Sequence, residues 1–296
     1  MLIDKVVEYC NDKYSSEDLS CMCEDCNHHD CPGSCKGCLE QIHYPHRVPN
    51  GKKDYDCPNL VDFYVCDYTF KYASEILYLL RKSEAISSIQ KYHIMSIGCG
   101  ACPDLMAFER YVKETDENKT ISYIGVDKNK LWKPVHTLIN SYRNDIVKKT
   151  RFIYEDAIEF FDENMINSTN VLVLQYVISH FYNTGQINEI DDFFDNLIKS
   201  IVYHKDNGIP FVIIINDVNS NNRGRDFFVD FCSKLSDSEL HVTYQKYYFD
   251  YYIQNDYQRY GERHDSNRIL FEIPDGFEQY EPWTRCSSAQ LIIEVE

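Results

Sequence analysis

The sequence HIMSIGCGACPDL, residues 93–105, joins a short apolar segment to a run of helical composition through two glycines. The apolar residues predict a buried strand, and the segment DLMAFERYVKET that follows predicts a helix. Gly98 and Gly100 lie between them, where glycine lets the backbone turn sharply and approach a ligand that faces the helix N-terminus. On its own, Gly-x-Gly is equally consistent with a tight turn that binds nothing.

The rest of the chain repeats this alternation of strand and helix. Five apolar segments of strand length are separated by helical segments, which predicts a parallel sheet with helices on both faces. Three closing segments have no helices between them and predict an antiparallel edge. The sequence therefore predicts an α/β fold. The predicted strands are 93–98, 121–127, 150–157, 170–177, 209–217, 241–250, 268–273 and 288–296.

Acidic residues stand at the ends of the second and third predicted strands. Asp127 ends the segment ISYIGVD, where a carboxylate is placed to accept hydrogen bonds from a ribose diol. The third predicted strand ends in Glu155-Asp156-Ala157, where a carboxylate can meet an adenine amino group. The carboxyl ends of parallel strands share one edge of the sheet, and such sheets bind ligands there. Three features at three consecutive strand ends are much more specific than a glycine turn alone.

In these motifs the chain resembles the class I S-adenosylmethionine-dependent methyltransferases over residues 92–296. The family's glycine-rich motif matches SIGCGACPDL, its ribose-binding and adenine-side acidic residues match Asp127 and Asp156, and its fourth-strand motif matches VLVLQYVISHF. The resemblance implies a seven-stranded, mostly parallel Rossmann-like sheet with an antiparallel C-terminal edge, and S-adenosylmethionine as the cofactor. It implies cofactor contacts from Gly98, Cys99, Gly100, Asp127, Lys128, Asp156, Ala157 and Gln175.

Two positions depart from the family's pattern. Ser96 stands where the family usually has Asp or Glu two residues before the first glycine, and Cys102 stands at the third glycine position. A nicotinamide-binding Rossmann domain is the competing interpretation. It is disfavoured because it also needs a third glycine, and because the closing strands lack crossover helices.

The fourth predicted strand bears on the methyl acceptor. It has neither the Asn/Asp-Pro-Pro-aromatic motif of the base-amine methyltransferases nor the Pro-Cys of the cytosine C5 enzymes. The expected acceptor is therefore an oxygen or nitrogen atom of a small molecule or a protein. His180 is the candidate general base, with a satisfied, half-buried histidine as the alternative. Gln175 and Tyr176 are expected to line the pocket, and Asp217 either orients a substrate or caps a helix.

A second feature is the cysteine-rich stretch CMCEDCNHHDCPGSCKGC, residues 21–38. The chain has thirteen cysteines, nine of them in the first 66 residues. The pairs Cys23–Cys26 and Cys35–Cys38 have the two-residue gap that suits a tetrahedral zinc ion, while a redox or iron–sulfur role is the minor alternative. We expect one or two structural zinc ions, because the segment is too short and polar to form its own core. The candidate ligands are Cys21, Cys23, Cys26, Cys31, Cys35, Cys38, His43, Cys57 and Cys66.

Composition restricts the class of protein further. Hydrophobic residues make up 44% of the chain, enough for a substantial core. The formal net charge of −17 disfavours a broad electrostatic contact with nucleic acid. The N-terminal residues do not show the pattern of a signal peptide, and no apolar run approaches the length of a membrane span. We therefore expect a cytoplasmic protein without a membrane partner, in a compartment where stable disulfides are uncommon.

These observations predict three parts of the chain. They are a cysteine-rich zinc-binding module over residues 1–66, a connecting helix and linker over 67–91, and a methyltransferase-like domain over 92–296. The connecting helix is predicted from about residue 67 to 82. Two functions remain open. The first is an active methyltransferase with a structural zinc module, and the second is an inactive methyltransferase-fold scaffold or cofactor sensor that binds a protein partner through that module.

Overall fold

One mixed sheet of eight strands forms the centre of the protein in the computed structural model. The strands are β1 (Lys91–Ile97), β2 (Thr120–Val126), β3 (Val147–Ile153), β4 (Val171–Gln175), β5 (Phe211–Val218), β6 (Val242–Tyr248), β7 (Glu262–Arg263) and β8 (Ser288–Val295). Their order is β3-β2-β1-β4-β5-β8-β6-β7. The structure describes residues 1–15, 32–48, 50–116, 118–142, 144–163, 166, 168–205, 211–220, 224–238, 240–250 and 259–295.

The pairing of the strands confirms the predicted mixture of parallel and antiparallel strands. Strands β1 to β5 are parallel, and β8 runs antiparallel between β5 and β6. The expected number of seven strands is wrong, because the two-residue strand β7 pairs with β6. The predicted strand over 268–273 is also wrong, since these residues contribute only one isolated bridge, from Arg268 to Arg285. Apolar composition alone did not reveal that this segment lacks a neighbouring strand to pair with.

Helices cover both faces of the sheet. They are α1 (Leu2–Ser15), α2 (Cys35–His43), α3 (Pro58–Leu80), α4 (Glu84–Ser88), α5 (Pro103–Thr115), α6 (Lys133–Ser141), α7 (Ala157–Glu163), α8 (Val177–Asn183), α9 (Ile187–Lys205) and α10 (Phe228–Asp237). Successive strand residues point to opposite faces. Ile94 therefore packs with α1, α3, α5 and α6, whereas its neighbour Met95 packs with α7 to α10. Among the described residues, no helix combines the length and the apolar composition needed to cross a membrane.

Helix α3 begins well before the predicted connecting helix. It starts at Pro58, whose ring suits the first turn of a helix, and it ends at Leu80. The predicted boundary at residue 66 thus falls inside a continuous helix. Leu2 of α1 and Phe70 of α3 belong to the same hydrophobic core as Tyr92 of β1. The described part of the N-terminal region therefore packs on the same face of the sheet as α5 and α6.

The strand order leaves a crevice at the carboxyl edge of the sheet. Successive strands step from β1 to β2 and β3 in one direction, and from β4 to β5 in the other. The loops after β1 and β4 consequently diverge and leave a crevice outside the carboxyl ends of the strands, where open α/β sheets bind ligands.

Glu75 of α3 attaches this helix to the carboxyl edge of the sheet. Its side chain is fully buried and accepts hydrogen bonds from Tyr176 Oη (2.9 Å), Asn216 Nδ2 (3.0 Å) and the Ser287 N–H (2.9 Å). Its backbone carbonyl accepts from Gln290 Nε2 at 2.7 Å. Since the donors to the carboxylate lie in β5 and in the residues next to β4 and β8, one carboxylate fixes α3 over several strand ends.

We predict that Glu75→Ala destabilises the full chain by about 3–5 kcal/mol. The substitution leaves the buried donors of Tyr176 and Asn216 without an acceptor, and removes the carboxylate that lies 3.6 Å from the buried Lys71 ammonium. The change is measured by urea unfolding at equilibrium. Glu272→Ala, at an exposed position, serves as the control and should stay within about 0.5 kcal/mol of the wild-type protein. Equal unfolding midpoints for the two variants would contradict this role of Glu75.

Candidate functional site

A cavity of about 260 Å³ lies at the carboxyl edge of the sheet. One side is formed by the loops that follow β1, β2, β3 and β4, and the other by α2, α3 and the segment between them. Of the residues predicted to contact a cofactor, all but Cys99 line this cavity. They are Gly98, Gly100, Asp127, Lys128, Asp156, Ala157 and Gln175. The structure thus brings together residues that are far apart in the sequence.

The loop after β1 takes its shape from left-handed backbone conformations. Gly98 and Gly100 have φ values of +61° and +48°. A Cβ at Gly98 would lie 3.0 Å from Val177 Cγ2, so the absence of a side chain permits the close approach to α8. Cys102 is also left-handed, with φ +61°, and it precedes Pro103 at the start of α5. The loop therefore presents backbone rather than side chains to the cavity.

Asp127 joins the ends of the first two strands. Its Oδ2 accepts from the Gly100 N–H at 2.9 Å, and its Oδ1 accepts from the Asn129 N–H at 2.9 Å. Burial raises the pKa of this carboxyl, and the two backbone donors oppose that shift. Each carboxylate oxygen has a second lone pair. The side chain can therefore accept hydrogen bonds from two hydroxyl groups of a ligand in the cavity.

Asp156 follows the third strand, and its side chain contacts the start of α7. Its Oδ1 accepts from the Ile158 N–H at 2.9 Å at the start of α7. Its Oδ2 lies 3.6 Å from the Lys128 ammonium, which also lines the cavity. A free lone pair on this carboxylate remains available for an amino group of a ligand.

Two amide side chains of the cavity have unused acceptors. Gln175, at the end of β4, donates from Nε2 to the Tyr72 carbonyl at 2.9 Å, while its buried Oε1 has no hydrogen-bond partner among the described residues. The same holds for Oδ1 of Asn183 in α8. Buried acceptors normally have a partner. Both oxygens are therefore suited to N–H or O–H donors of a ligand.

His180 of α8 lies in the cavity wall, half-buried, with its ring stacked on Tyr55 at a centroid distance of 6.3 Å. Burial, followed by the nearby Lys128 ammonium, lowers the pKa of His180. Its imidazole is consequently neutral at pH 7 and able to accept a proton. His180, the predicted general base, therefore lines the cavity with a neutral ring.

Asp217 has the helix-capping contacts that were one of its two predicted roles. Its Oδ2 accepts from the N–H groups of Ile178 (3.0 Å) and Ser179 (3.2 Å) in the first turn of α8. Its Oδ1 accepts from the Val218 N–H at 2.7 Å. Since α8 carries His180, this buried carboxylate orients the helix on which the candidate base lies.

The opposite wall was not predicted from the sequence. Tyr64, Tyr68 and Tyr72 recur every four residues of α3 and face the cavity. Lys71, which is also buried, donates to Tyr176 Oη at 2.9 Å and lies 5.1 Å from the ring centroid of Trp283. The spacing of the three tyrosines was the available signal, but the same spacing is typical of an ordinary core helix.

The predicted zinc ligands do not form a common site among the described residues. Cys21, Cys23, Cys26 and Cys31 lie outside the described ranges. Cys35 and Cys38 lie in α2, Cys57 precedes α3, and Cys66 is buried within α3. Across the ranges that the structure describes, no three of the predicted ligands converge closely enough to hold one metal ion.

His43, another predicted zinc ligand, has both ring nitrogens hydrogen-bonded. Nδ1 lies 3.0 Å from Tyr68 Oη, and Nε2 lies 2.9 Å from Tyr55 Oη. Burial lowers the pKa of His43 to about 3, and the charge of Lys71 acts in the same direction. His43 is thus a neutral part of the tyrosine-rich wall of the cavity.

Comparison with known proteins identifies distant structural similarities. No protein-family model and no curated protein sequence matches the chain. The solved structure of the plantazolicin methyltransferase BpumL with SAH aligns over 100% of both chains at 11% identity and a TM-score of 0.41. Magnesium protoporphyrin IX methyltransferase ChlM from Synechocystis PCC 6803, with bound SAM, aligns over 89% of this chain and 97% of its own at 8% identity and a TM-score of 0.43. A SAM-dependent methyltransferase from Methanosarcina mazei aligns over 70% of this chain and 93% of its own at 9% identity and a TM-score of 0.39.

We predict that His43 makes the stability of the protein depend on pH. Its pKa of about 3 in the folded state lies below the unfolded value of 6.5. The unfolded chain therefore takes up a proton first as the pH falls below 6.5, and the stability that His43 contributes above that pH is lost towards pH 3. The expected slope is about 1.4 kcal/mol per pH unit.

Urea unfolding of the wild-type protein and of His43→Asn between pH 7.5 and 5 tests this prediction. Other groups titrate in both proteins, so the difference between the two curves isolates His43. The wild-type protein should lose more stability than the variant below pH 6.5. Parallel curves over the whole range would contradict the prediction.

Proposed function

We propose that the protein is an S-adenosylmethionine-dependent methyltransferase that acts on an oxygen or nitrogen atom of a small molecule or a protein. One observation carries the proposal. The glycine loop, Asp127 and Asp156 follow three consecutive strands, and all three line one cavity at the position where the strand order reverses. A ligand with a ribose diol and an amino-substituted base matches this order of groups.

The residues present fit the cofactor. Because Gly98 and Gly100 have no side chains, the cofactor can approach the backbone of this loop closely. The lone pairs of Asp127 suit the ribose hydroxyls of the cofactor. Asp156 is placed for the adenine amino group, and the unpartnered Oε1 of Gln175 accepts an N–H donor. When bound, the cofactor supplies an electrophilic methyl group on a sulfonium centre.

The wall formed by α3 is the proposed acceptor side. Its tyrosines, together with Trp283, provide flat apolar surfaces that exclude water and orient an acceptor. Asn183 offers an unpartnered oxygen to a donor group of the acceptor, and Lys71 offers a buried ammonium close to the same space. Orientation of the two reactants can supply much of the reduction in the barrier of a displacement reaction.

His180 is the proposed general base. It follows β4, its ring is neutral at pH 7, and it lines the cavity together with the residues proposed for the cofactor and the acceptor. We infer that it takes the proton from the O–H or N–H group of the acceptor. A nucleic-acid base is the less favoured acceptor, since the net charge of −17 gives little attraction for a phosphate backbone.

Asp127→Ala should weaken binding of S-adenosylhomocysteine by about 10- to 100-fold. The substitution removes the acceptor of two charge-assisted hydrogen bonds and releases the Gly100 N–H that shapes the loop. Isothermal titration calorimetry of the full chain measures the change. Asp145→Ala, at a fully exposed position, is the matched control and should bind like the wild-type protein. Unchanged affinity in a folded Asp127→Ala protein would argue against the proposed cofactor site.

His180→Gln should lower kcat by about 100-fold or more while leaving the affinity for S-adenosylhomocysteine unchanged. The substrate is found first by transfer of tritium from methyl-labelled cofactor to panels of phenols, amines and proteins. Because protonated His180 cannot accept a proton, activity should fall as the pH drops through a pKa below 6.5. His241→Gln, at an exposed position, is the control. A normal kcat in His180→Gln would exclude the histidine as the base.

If no acceptor is labelled although the cofactor binds at the Asp127 site, the alternative of a cofactor-sensing scaffold gains support. If S-adenosylhomocysteine does not bind to the folded wild-type protein, the enzyme proposal fails. The two outcomes are distinguished by the calorimetric titration, which does not depend on knowing the acceptor.

A further inference from the structure

Two thiols and an imidazole converge behind the glycine loop, on the side away from the cavity. The ligand atoms of Cys99, Cys102 and His136 all lie within 4.8 Å of one another. The exposed fractions of the three residues are 4%, 0% and 1%. The methyltransferase reaction proposed above has no use for this group, and no residue of it was among the predicted zinc ligands.

Local backbone geometry brings the two thiols together. Cys99 and Cys102 are separated by two residues, and the Cys102 N–H donates to the Cys99 carbonyl at 2.7 Å to close a tight turn. Left-handed conformations at Gly100 and Cys102 reverse the direction of the chain within this turn. A two-residue gap closed in this way is the arrangement that lets two thiolates bind a single ion.

His136 lies on α6, and its orientation is fixed by residues in and just after β3 and by the loop after β1. Its ring stacks on Phe152 with a centroid distance of 3.9 Å and an interplanar angle of 6°. Nδ1 lies 2.9 Å from Tyr154 Oη. Nε2 lies 3.8 Å from Cys99 Sγ and donates to the Gly100 carbonyl oxygen at 2.8 Å. A metal ion bound by Nε2 would take the place of that proton. A histidine that binds metal through one nitrogen commonly has its other nitrogen held by an oxygen atom, as Tyr154 does here.

A backbone oxygen is available for a fourth position. The Gly100 carbonyl oxygen lies 3.8 Å from Cys102 Sγ and therefore borders the same space. Asp104, in the first turn of α5, is not among the groups that converge there. Its carboxylate is instead held by Tyr123 Oη, which donates to Oδ1 at 2.9 Å, and by Ser96 and the Leu105 N–H. The neutral Gly100 carbonyl is thus the candidate fourth ligand.

Charge and ligand type point to zinc. Two thiolates and one neutral imidazole cancel the charge of a divalent ion, which a buried site requires. Sulfur and imidazole ligands favour Zn²⁺ over Mg²⁺ or Ca²⁺, both of which prefer oxygen. A redox-active dithiol fits less well, because reactive cysteines are partly exposed whereas Cys102 is fully buried.

We propose that Cys99, Cys102 and His136 form a zinc site. The ion attaches the side of the glycine loop that faces away from the cavity to α6. The site lies in the described core of the protein and uses none of the residues predicted to bind zinc in the N-terminal cysteine-rich stretch. Because Gly100 lies between the two cysteines, the ion holds the loop in the shape that faces the cavity. The metal assignment itself does not depend on the proposed methyltransferase function.

Zinc content of the full-length protein tests the proposal. The wild-type protein, the double variant Cys99→Ser/Cys102→Ser and His136→Gln are purified identically, and zinc per chain is measured by inductively coupled plasma mass spectrometry. The two variants should each contain about one zinc ion per chain less than the wild-type protein, whatever else the chain binds. Cys232→Ser, which removes a half-buried thiol from α10, is the matched control and should retain the full content.

Substitution with Co²⁺ gives a second readout that does not rely on stoichiometry alone. Thiolate ligands give tetrahedral Co²⁺ intense charge-transfer absorption, so the wild-type spectrum minus that of His136→Gln should contain such bands. Circular dichroism shows whether each variant is folded, and a variant that is not folded is replaced by Cys99→Ala or His136→Asn. Equal zinc content and equal Co²⁺ spectra in the wild-type protein and a folded variant would overturn the proposal.

Discussion

The hydrogen bond from the Gly100 N–H to Asp127 is the interaction on which the site depends most. It joins the loop after β1 to the end of β2 at 2.9 Å, and it is formed where the strand order reverses. The bond holds Gly100 in its left-handed conformation, with one side of the loop towards the cavity. The other side carries Cys99 and Cys102 towards His136. The two sides of this short loop therefore have different chemical environments. A change on one side would alter the conformation of the loop on the other side.

Helix α3 contributes side chains to the cavity of a kind that the strand ends do not provide. The strand ends provide carboxylates and backbone groups, whereas α3 provides aromatic rings and a buried ammonium on the facing wall. Glu75 fixes this wall by accepting hydrogen bonds from groups beside β4, β5 and β8. Tyr176 is shared by both walls, since its hydroxyl contacts Glu75 and Lys71 while its ring packs on Tyr72 with centroids 4.3 Å apart. The enclosed space is thus defined by contacts between segments distant in the sequence.

Sequence analysis could predict those parts of the fold and of the site that short local sequence patterns determine. The glycine turn, Asp127 and Asp156 each follow an apolar strand, and parallel pairing brings such ends together whatever the details of packing. The contribution of α3 could not be predicted in this way, because Tyr64, Tyr68 and Tyr72 have the spacing of core residues and their exposure to a cavity depends on where the helix packs. Of the pair Cys99 and Cys102, only Cys102 stood out in the sequence, as a departure from the glycine pattern. Its partner His136 is 34 positions beyond Cys102, on another helix, and only the folded chain shows their proximity.

A crystal structure of the full chain with S-adenosylhomocysteine would test the central claim most directly. The account predicts that the ribose hydroxyls bind Asp127, that the adenine lies beside Asp156, and that the amino-acid end of the ligand lies near Gln175. The sulfur atom should then face the wall formed by α3. A ligand bound outside this cavity, or in it with the ribose away from Asp127, would contradict the assignment of the carboxyl edge of the sheet as the cofactor site.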